Sequence, residues 1–284
     1  MKPARFDYAC PASLGEAVAL LASRLGEAKP LAGGQSLMPV LAFRLAQPAL
    51  LVDLRKVPDL DRIAIGTDGV RLGARVRWRD IERDARLETA QPLLRAAVAH
   101  VAHYQIRNRG TVGGSLAHAD PAAELPGIAV ACDAAIHAVG PSGARIVKAA
   151  EFFTGALATV LAPDEIITEL HLPAWPTARR WGFEEFARRR GDFALAGIAA
   201  FYDLAAGRAG NAHVGVIGAC ARPHRIAAAE AALNGRAVDE AAILAAARAA
   251  AAAVDPPSDL HADAEYRRAL VEVLTERALR QAAA

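Results

Sequence analysis

Apolar and polar positions along this chain follow two periods, and the period changes mark its elements. Ala17-Val18-Ala19-Leu20-Leu21 follows Ser13-Leu14-Gly15-Glu16, a serine with a glutamate three residues on. That capping-box pattern predicts a helix running to about residue 25. Pro30-Leu31-Ala32 reads as a short strand. Residues 37–45 carry apolar side chains at helical spacing, with Pro39 in the first turn, where a proline is tolerated. Ala49-Leu50-Leu51-Val52-Asp53-Leu54 is a continuous apolar run and predicts a buried strand. The opening is therefore a small βαβ-like unit. Residues 62–65 and 70–74 then flank Thr67-Asp68-Gly69, a hairpin signal. Residues 78–86 predict a short helix. Residues 92–103 predict a longer one, with Leu93, Leu94, Ala97, Val98 and Val101 as its apolar stripe. Residues 121–132 predict another, with Asp120 as N-cap and Pro121 at the first helical position. Strands return at 135–139, 144–147 and 166–172.

Pro173-Ala174-Trp175-Pro176-Thr177 reads as a domain boundary. Beyond it, residues 181–188, 197–204 and 212–219 predict a three-stranded antiparallel sheet. Helices follow at 227–233, 237–254 and 262–281, broken by Asn234-Gly235 and Pro256-Pro257. The fold class is α+β. The expected division is a domain over 1–175, with subdomains 1–55 and 56–175, and a C-terminal α+β domain over 176–284. The larger N-terminal subdomain is expected to hold a mixed sheet with helices. No internal repeat is visible.

Composition narrows the function classes. The chain has 284 residues and is 54% hydrophobic, enough for a large core. Its net charge is +2, and no basic face rich in aromatics occurs, which argues against nucleic acid. Cys10, Cys132 and Cys220 are too widely spaced for a metal or iron–sulfur site. Three unpaired cysteines suit a reducing compartment, and the N-terminus turns polar before any apolar stretch. Together these predict a cytoplasmic protein without a signal peptide. No membrane span is expected.

The chemistry concentrates at two glycine pairs 80 residues apart. One is Leu31-Ala32-Gly33-Gly34-Gln35-Ser36-Leu37; the other is Gly110-Thr111-Val112-Gly113-Gly114-Ser115-Leu116. Paired glycines permit positive φ and close approach of the backbone to a ligand. Successive backbone N–H groups in such turns can form a nest for a phosphate. Two of them suggest one ligand with two phosphates held from both sides. Neither fits G-x-G-x-x-G, and no G-x-x-x-x-G-K-[ST] occurs.

These residues resemble a known family. Ala32-Gly33-Gly34-Gln35-Ser36-Leu37-Met38-Pro39 with Phe43-Arg44-Leu45 resembles the first FAD motif of the flavoprotein (medium) subunit of molybdenum hydroxylases. Ile106-Arg107-Asn108-Arg109-Gly110-Thr111-Val112-Gly113-Gly114-Ser115 with Asp120-Pro121-Ala122-Ala123-Glu124-Leu125 resembles the second. Arg188-Arg189-Arg190-Gly191-Asp192-Phe193-Ala194 resembles a signature early in the family's C-terminal domain. The resemblance spans the chain in order. It implies FAD as cofactor, with Ala32, Gly33, Gly34, Gln35, Ser36 and Leu37 around the pyrophosphate. Thr111, Gly113, Gly114 and Ser115 are implied to hold the other side of the phosphates and the ribityl chain, with His118 and Asp120 beside them. Glu124 matches an acidic position bonded to the cofactor, where a carboxylate can accept from a ribose or ribityl hydroxyl. Ile167 matches an apolar position near the adenine or flavin ring. Phe193 matches an aromatic that approaches the isoalloxazine, here without a tyrosine hydroxyl. Relatives often have a lysine in the strand before the arginine run; this chain has Phe183-Glu184-Glu185-Phe186 there, which changes that contact.

Other candidates have plain readings beside the functional ones. Arg107 and Arg109 either meet the cofactor or are surface charges flanking the turn. His118 either bonds near the phosphates or is satisfied locally. His100 and His103 stand at i, i+3 without a third ligand nearby, which favours a structural reading over a metal. Asp53 reads as a strand-end residue. No triad or acid–base pair is visible, as expected where a cofactor carries the chemistry. The resemblance implies an electron-transfer subunit that partners a small [2Fe–2S] subunit and a large molybdopterin subunit, in a dimer of heterotrimers. A stand-alone FAD oxidoreductase and a non-catalytic assembly module are the alternatives. Gly33→Val or Gly113→Val is expected to abolish FAD binding with the fold largely retained.

Overall fold

The computed structural model describes residues 2–284. The N-terminal unit contains β1 (Asp7–Ala9), α1 (Leu14–Ser23), β2 (Ala28–Leu31), α2 (Leu37–Ala42) and β3 (Leu50–Asp53). Its strands form a parallel sheet in the order β1-β3-β2, with β3 buried along its whole length. Ser13 Oγ caps α1 by accepting from Glu16 N at 3.2 Å. The reciprocal bond slips by one residue, since Glu16 accepts from Ala12 N rather than Ser13 N. β1 is short and mostly exposed, so no apolar run announces it.

The next unit begins with the hairpin β4 (Ile63–Gly66) and β5 (Gly69–Gly73). Six helices follow: α3 (Trp78–Arg83), α4 (Leu87–Ala90), α5 (Pro92–Val98), α6 (Tyr104–Arg107), α7 (Val112–His118) and α8 (Glu124–Ala131). Then come β6 (Ala135–Gly140), β7 (Gly143–Lys148), α9 (Ala149–Phe152), the small hairpin β8 (Phe153–Gly155) and β9 (Ala158–Thr159), and β10 (Ile166–Pro173). The five-stranded sheet runs β4-β5-β10-β6-β7, and every pair in it is antiparallel. This corrects the expected mixed sheet. Strand β10 lies between two hairpins and opposes the inner strand of each.

Two helices differ from the expected bounds for visible reasons. α5 ends at Val98, short of the expected 103. Ala102 takes a left-handed φ of +42°, and the Arg107 guanidinium binds the carbonyls of Val101 and Ala102 at 2.9 and 3.0 Å. α8 begins at Glu124, so Asp120 is not its N-cap and Pro121 is not its first residue. Asp120 instead closes a turn on Ala122 N at 2.9 Å, and the Pro121 carbonyl is taken by Gly218 N.

The C-terminal part holds β11 (Arg179–Phe186), β12 (Ala196–Ala205), β13 (Arg208–Ile217) and β14 (His224–Arg225), covered by α10 (Ala227–Leu233), α11 (Glu240–Ala253) and α12 (Ala264–Ala283). The sheet has four strands in the order β11-β12-β13-β14, not the expected three. β14 spans only two residues, too few for an alternation to show. One face, with Ile198, Tyr202, Val214 and Val216, packs on Leu233, Ile243, Leu274 and Leu279 of the helices. The other, with Ala199, Phe201 and Ile217, joins the core of the five-stranded sheet. Phe201 is fully buried, stacked on His213 at 4.4 Å with Arg179 over its ring at 4.4 Å. Burial of one such ring contributes about 1.5–3 kcal/mol. Among the described residues, no helix is long and apolar enough to cross a membrane.

Candidate cofactor site

The two glycine motifs meet in space. Gly33 lies against the backbone of Arg109 and Gly110, and Arg109 Nε reaches the Gly33 carbonyl at 3.4 Å. Leu31, Ala32 and Gly33 line one cleft together with Asn108, Arg109 and Thr111. Asp53, Arg55, Arg75 and Arg77 line it too.

The two motifs are built differently. In the first, Gly34 turns the chain with φ +73°, and Gln35 Nε2 folds back onto the Gly33 carbonyl at 3.1 Å. The Gln35 amide therefore braces the turn. Among the described residues, the backbone N–H groups of Gly33, Gly34, Gln35 and Ser36 have no intramolecular acceptor. Exposed successive donors of this kind are an anion nest.

The second motif is the start of α7 rather than a turn. Thr111 is its N-cap, and Thr111 Oγ1 accepts from Gly114 N at 3.2 Å. Val112 N and Gly113 N donate to the carbonyls of Val76 and Ala74. These donors are already occupied, so this side offers the Thr111 and Ser115 hydroxyls and nearby arginines rather than a second free nest. Neither Gly113 nor Gly114 has a positive φ. Gly113 is required by packing: a Cβ there comes within 2.6 Å of the Ala74 side chain.

Charge suits the same ligand. Four arginines line the cleft with a single acid, Asp53. Burial works against the Asp53 carboxylate, but hydrogen bonds from Arg55 and Tyr8 outweigh it and hold the group below the usual carboxylate range. Arg109 belongs to the cleft, whereas Arg107 is spent on Glu82 at 2.9 Å and on two carbonyls. The sequence reading missed Arg55, Arg75 and Arg77. The alternation Arg75-Val76-Arg77, with Val76 buried, was the available signal.

The remaining candidates lie elsewhere. Glu124 opens α8, and its carboxyl is pushed up to about 7 by burial, with the charge of Asp120 adding to the shift. Phe193 is 67% exposed on the loop after β11. His118 closes α7 and is half-buried. Leu37 starts α2 beside the first motif. Ile167 is buried in the main core on β10. Cys132 and Cys220 are inert core thiols that burial pushes up to about 12.

Residues 4–175 match the family described as the FAD binding domain in molybdopterin dehydrogenase. Residues 181–282 match the carbon monoxide dehydrogenase flavoprotein C-terminal domain. The chain belongs to the FAD-binding flavoprotein subunits of the molybdenum hydroxylases. It is 41% identical to the nicotine 6-hydroxylase medium subunit of Paenarthrobacter nicotinovorans, covering 100% of this chain and 99% of that one. It superimposes on a chain of carbon monoxide dehydrogenase from Hydrogenophaga pseudoflava with a TM-score of 0.96 at 38% identity, covering 99% and 98%. A chain of quinoline 2-oxidoreductase from Pseudomonas putida 86 gives 0.95 at 38% identity, covering 100% and 98%. Its relatives are oxidoreductase subunits, and FAD is the cofactor of this family.

The residues present fit FAD. Four free N–H groups and a cluster of arginines suit a pyrophosphate, and a buried acid at Glu124 suits a hydroxyl donor. Thr111→Val removes the cap of α7 and is expected to cost about 1 kcal/mol of stability and to weaken FAD binding. Thr111→Ser is expected to restore both. Thermal melting and FAD titration of the two variants check this; equal affinity of Thr111→Val and wild type contradicts it.

Proposed function

We propose that this chain holds one FAD between the turn at residues 32–37 and the segment at residues 111–115. In this reading it is the electron-transfer subunit of a molybdopterin, iron–sulfur and flavin dehydrogenase. Bound FAD supplies the redox chemistry, linking [2Fe–2S] clusters on a small partner subunit to an external acceptor. Substrate is hydroxylated at a molybdopterin centre on a large subunit, in a cytoplasmic dimer of heterotrimers. The chain's own residues bind and orient. Gly33, Gly34, Gln35 and Ser36 offer main-chain donors to the pyrophosphate, with Arg109 adding charge. Thr111 and Ser115 offer hydroxyls, Glu124 accepts from a cofactor hydroxyl, and Phe193 stands at the flavin end. The domain division at residue 175 belongs to the same reading.

The observation that carries it is the run of unpaired N–H groups at Gly33–Ser36, which begins at the edge of a cleft that Gly33 shares with Arg109 and Thr111. Purified alone, the chain is expected to be yellow, with flavin bands and no turnover of small substrates. Adding the reduced small subunit is expected to bleach those bands. Turnover by the isolated chain instead identifies a stand-alone oxidoreductase. A colourless chain that cannot be reconstituted identifies an assembly module.

A further inference from the structure

One turn into α12 the fold buries a guanidinium. Arg267 is only 4% exposed, although burial disfavours a cation and so does the positive end of a helix dipole. Its side-chain bonds all leave the helix. Nη1 donates to the Leu195 carbonyl at 2.6 Å and to the Gly218 carbonyl at 3.3 Å. Nη2 donates to the Asp259 carboxylate at 2.8 Å. Nε has no partner among the described residues. The group is therefore spent on the main chain of two loops rather than on α12 itself.

Those two carbonyls mark one junction of the fold. Leu195 ends the loop at residues 187–195 between β11 and β12, the loop that carries Phe193. Leu195 N donates to the Phe186 carbonyl at 2.8 Å, so the two ends of that loop are joined. Gly218 follows β13 with φ +74°, and a Cβ there would come within 2.6 Å of the Ala194 carbonyl oxygen. Gly218 N donates to the Pro121 carbonyl at 2.8 Å, just before Glu124 opens α8. At the loop tip Gly191, with φ +89°, lies against the His103 ring and the Ala102 carbonyl, on the segment that leads into the second glycine motif. The loop is gripped at its tip and its base. Phe193 stands between the two grips and is 67% exposed.

We propose that Arg267 is a positioning residue for the cofactor site: it fixes the base of the Phe193 loop to the Gly218–Pro121 junction, so that Phe193 is presented to bound flavin in one orientation. The inference rests on Phe193 standing at the flavin end, as proposed above. An exposed ring has little packing of its own to hold it, so its placement comes from the backbone beneath. Charge-assisted bonds to the two carbonyls are stronger than neutral ones. The planar fork of an arginine also fixes both carbonyls at once, which a lysine ammonium does not. Asp259 holds the fork from its other side and is itself held by the N–H groups of His261 and Ala262 at 2.8 and 3.1 Å. The bracket is thus complete before any cofactor binds, and preorganisation of this kind lowers the ordering cost of binding.

The test compares full chains carrying Arg267→Met, Asp259→Asn or Phe193→Ala with wild type, after thermal melting has verified folding. Asp259→Asn keeps the turn at His261 and removes only the charge opposite Nη2, so it tests the proposal even where Arg267→Met does not fold. Both substitutions are expected to speed amide exchange over residues 187–195 in the apo chain and to shift the visible circular dichroism of bound flavin. FAD release, followed by flavin fluorescence, is expected to quicken about tenfold in Arg267→Met and about threefold in Asp259→Asn. In a Phe193→Ala background the same substitutions are expected to change release by less than about twofold, because they act through that one ring. Unchanged release in both variants overturns the proposal. So does an acceleration that persists in full without Phe193, which makes Arg267 a purely structural residue. Wild-type release from Phe193→Ala overturns the placement of Phe193 at the flavin, and this proposal with it.

Discussion

Gly33→Val is expected to abolish FAD binding and also to destabilise the chain by about 1–3 kcal/mol. From sequence alone, the glycine is needed for the cofactor, and the fold should survive its loss. The structure changes that expectation. A Cβ at Gly33 runs into the Arg109 carbonyl group, within 2.8 Å of its carbon, and comes within 3.1 Å of the Gly110 Cα. Both obstacles are backbone and cannot rotate away. The substitution therefore separates the two motifs and opens the cleft that Ala32 and Thr111 share. Flavin content and melting temperature of the purified variant report the two effects separately. Loss of flavin with an unchanged melting temperature restores the simpler view that Gly33 serves the ligand alone. Full flavin content contradicts both.

Gly182→Ala is expected to be the most damaging small substitution outside the site. Here α12 crosses β11, and a Cβ at Gly182 meets the Ala278 carbonyl, within 2.7 Å of its carbon and 3.0 Å of its Cα. Strand and helix must move apart, which loosens the packing of Leu274, Leu279 and Tyr202 in the C-terminal core. The Tyr202 hydroxyl also loses its anchor on the Ala282 carbonyl, now 3.2 Å away. The expected cost is about 3 kcal/mol, at the upper end for overpacking. At this chain length that corresponds to roughly 6–12 °C in melting temperature. Trp181, the adjacent residue, gives a fluorescence reporter of the same event. A variant that melts within about 2 °C of wild type contradicts the close crossing.

Much of the fold was legible because local patterns and tertiary burial agree. β3 reads as a buried strand and is one, and α10 matches its expected bounds. The failures have local causes. β14 is too short to show a period, and β1 is too exposed. Asp120 and Pro121 carry a strong helix-start signal, yet Gly218 claims the Pro121 carbonyl, a long-range bond that no local rule sees. The second glycine motif reads as a turn because glycines punctuate turns. Its Gly113 serves helix packing against Ala74, which depends on a strand end 39 residues earlier. In the site, the main-chain donors were legible from Gly33-Gly34. The arginines at 55, 75 and 77 were not, because they reach the cleft only once the segments that follow β3 and β5 fold against the second motif.

The central claim is that FAD is held from both sides by these two motifs. Amide hydrogen exchange of the full chain, with and without FAD, tests it residue by residue. The N–H groups of Gly33–Ser36 are free of internal acceptors, so they are expected to exchange fast in the apo chain and to slow markedly with FAD. Peptides over residues 108–115 are expected to slow as well. Bound FAD that leaves exchange at residues 33–36 unchanged contradicts the account.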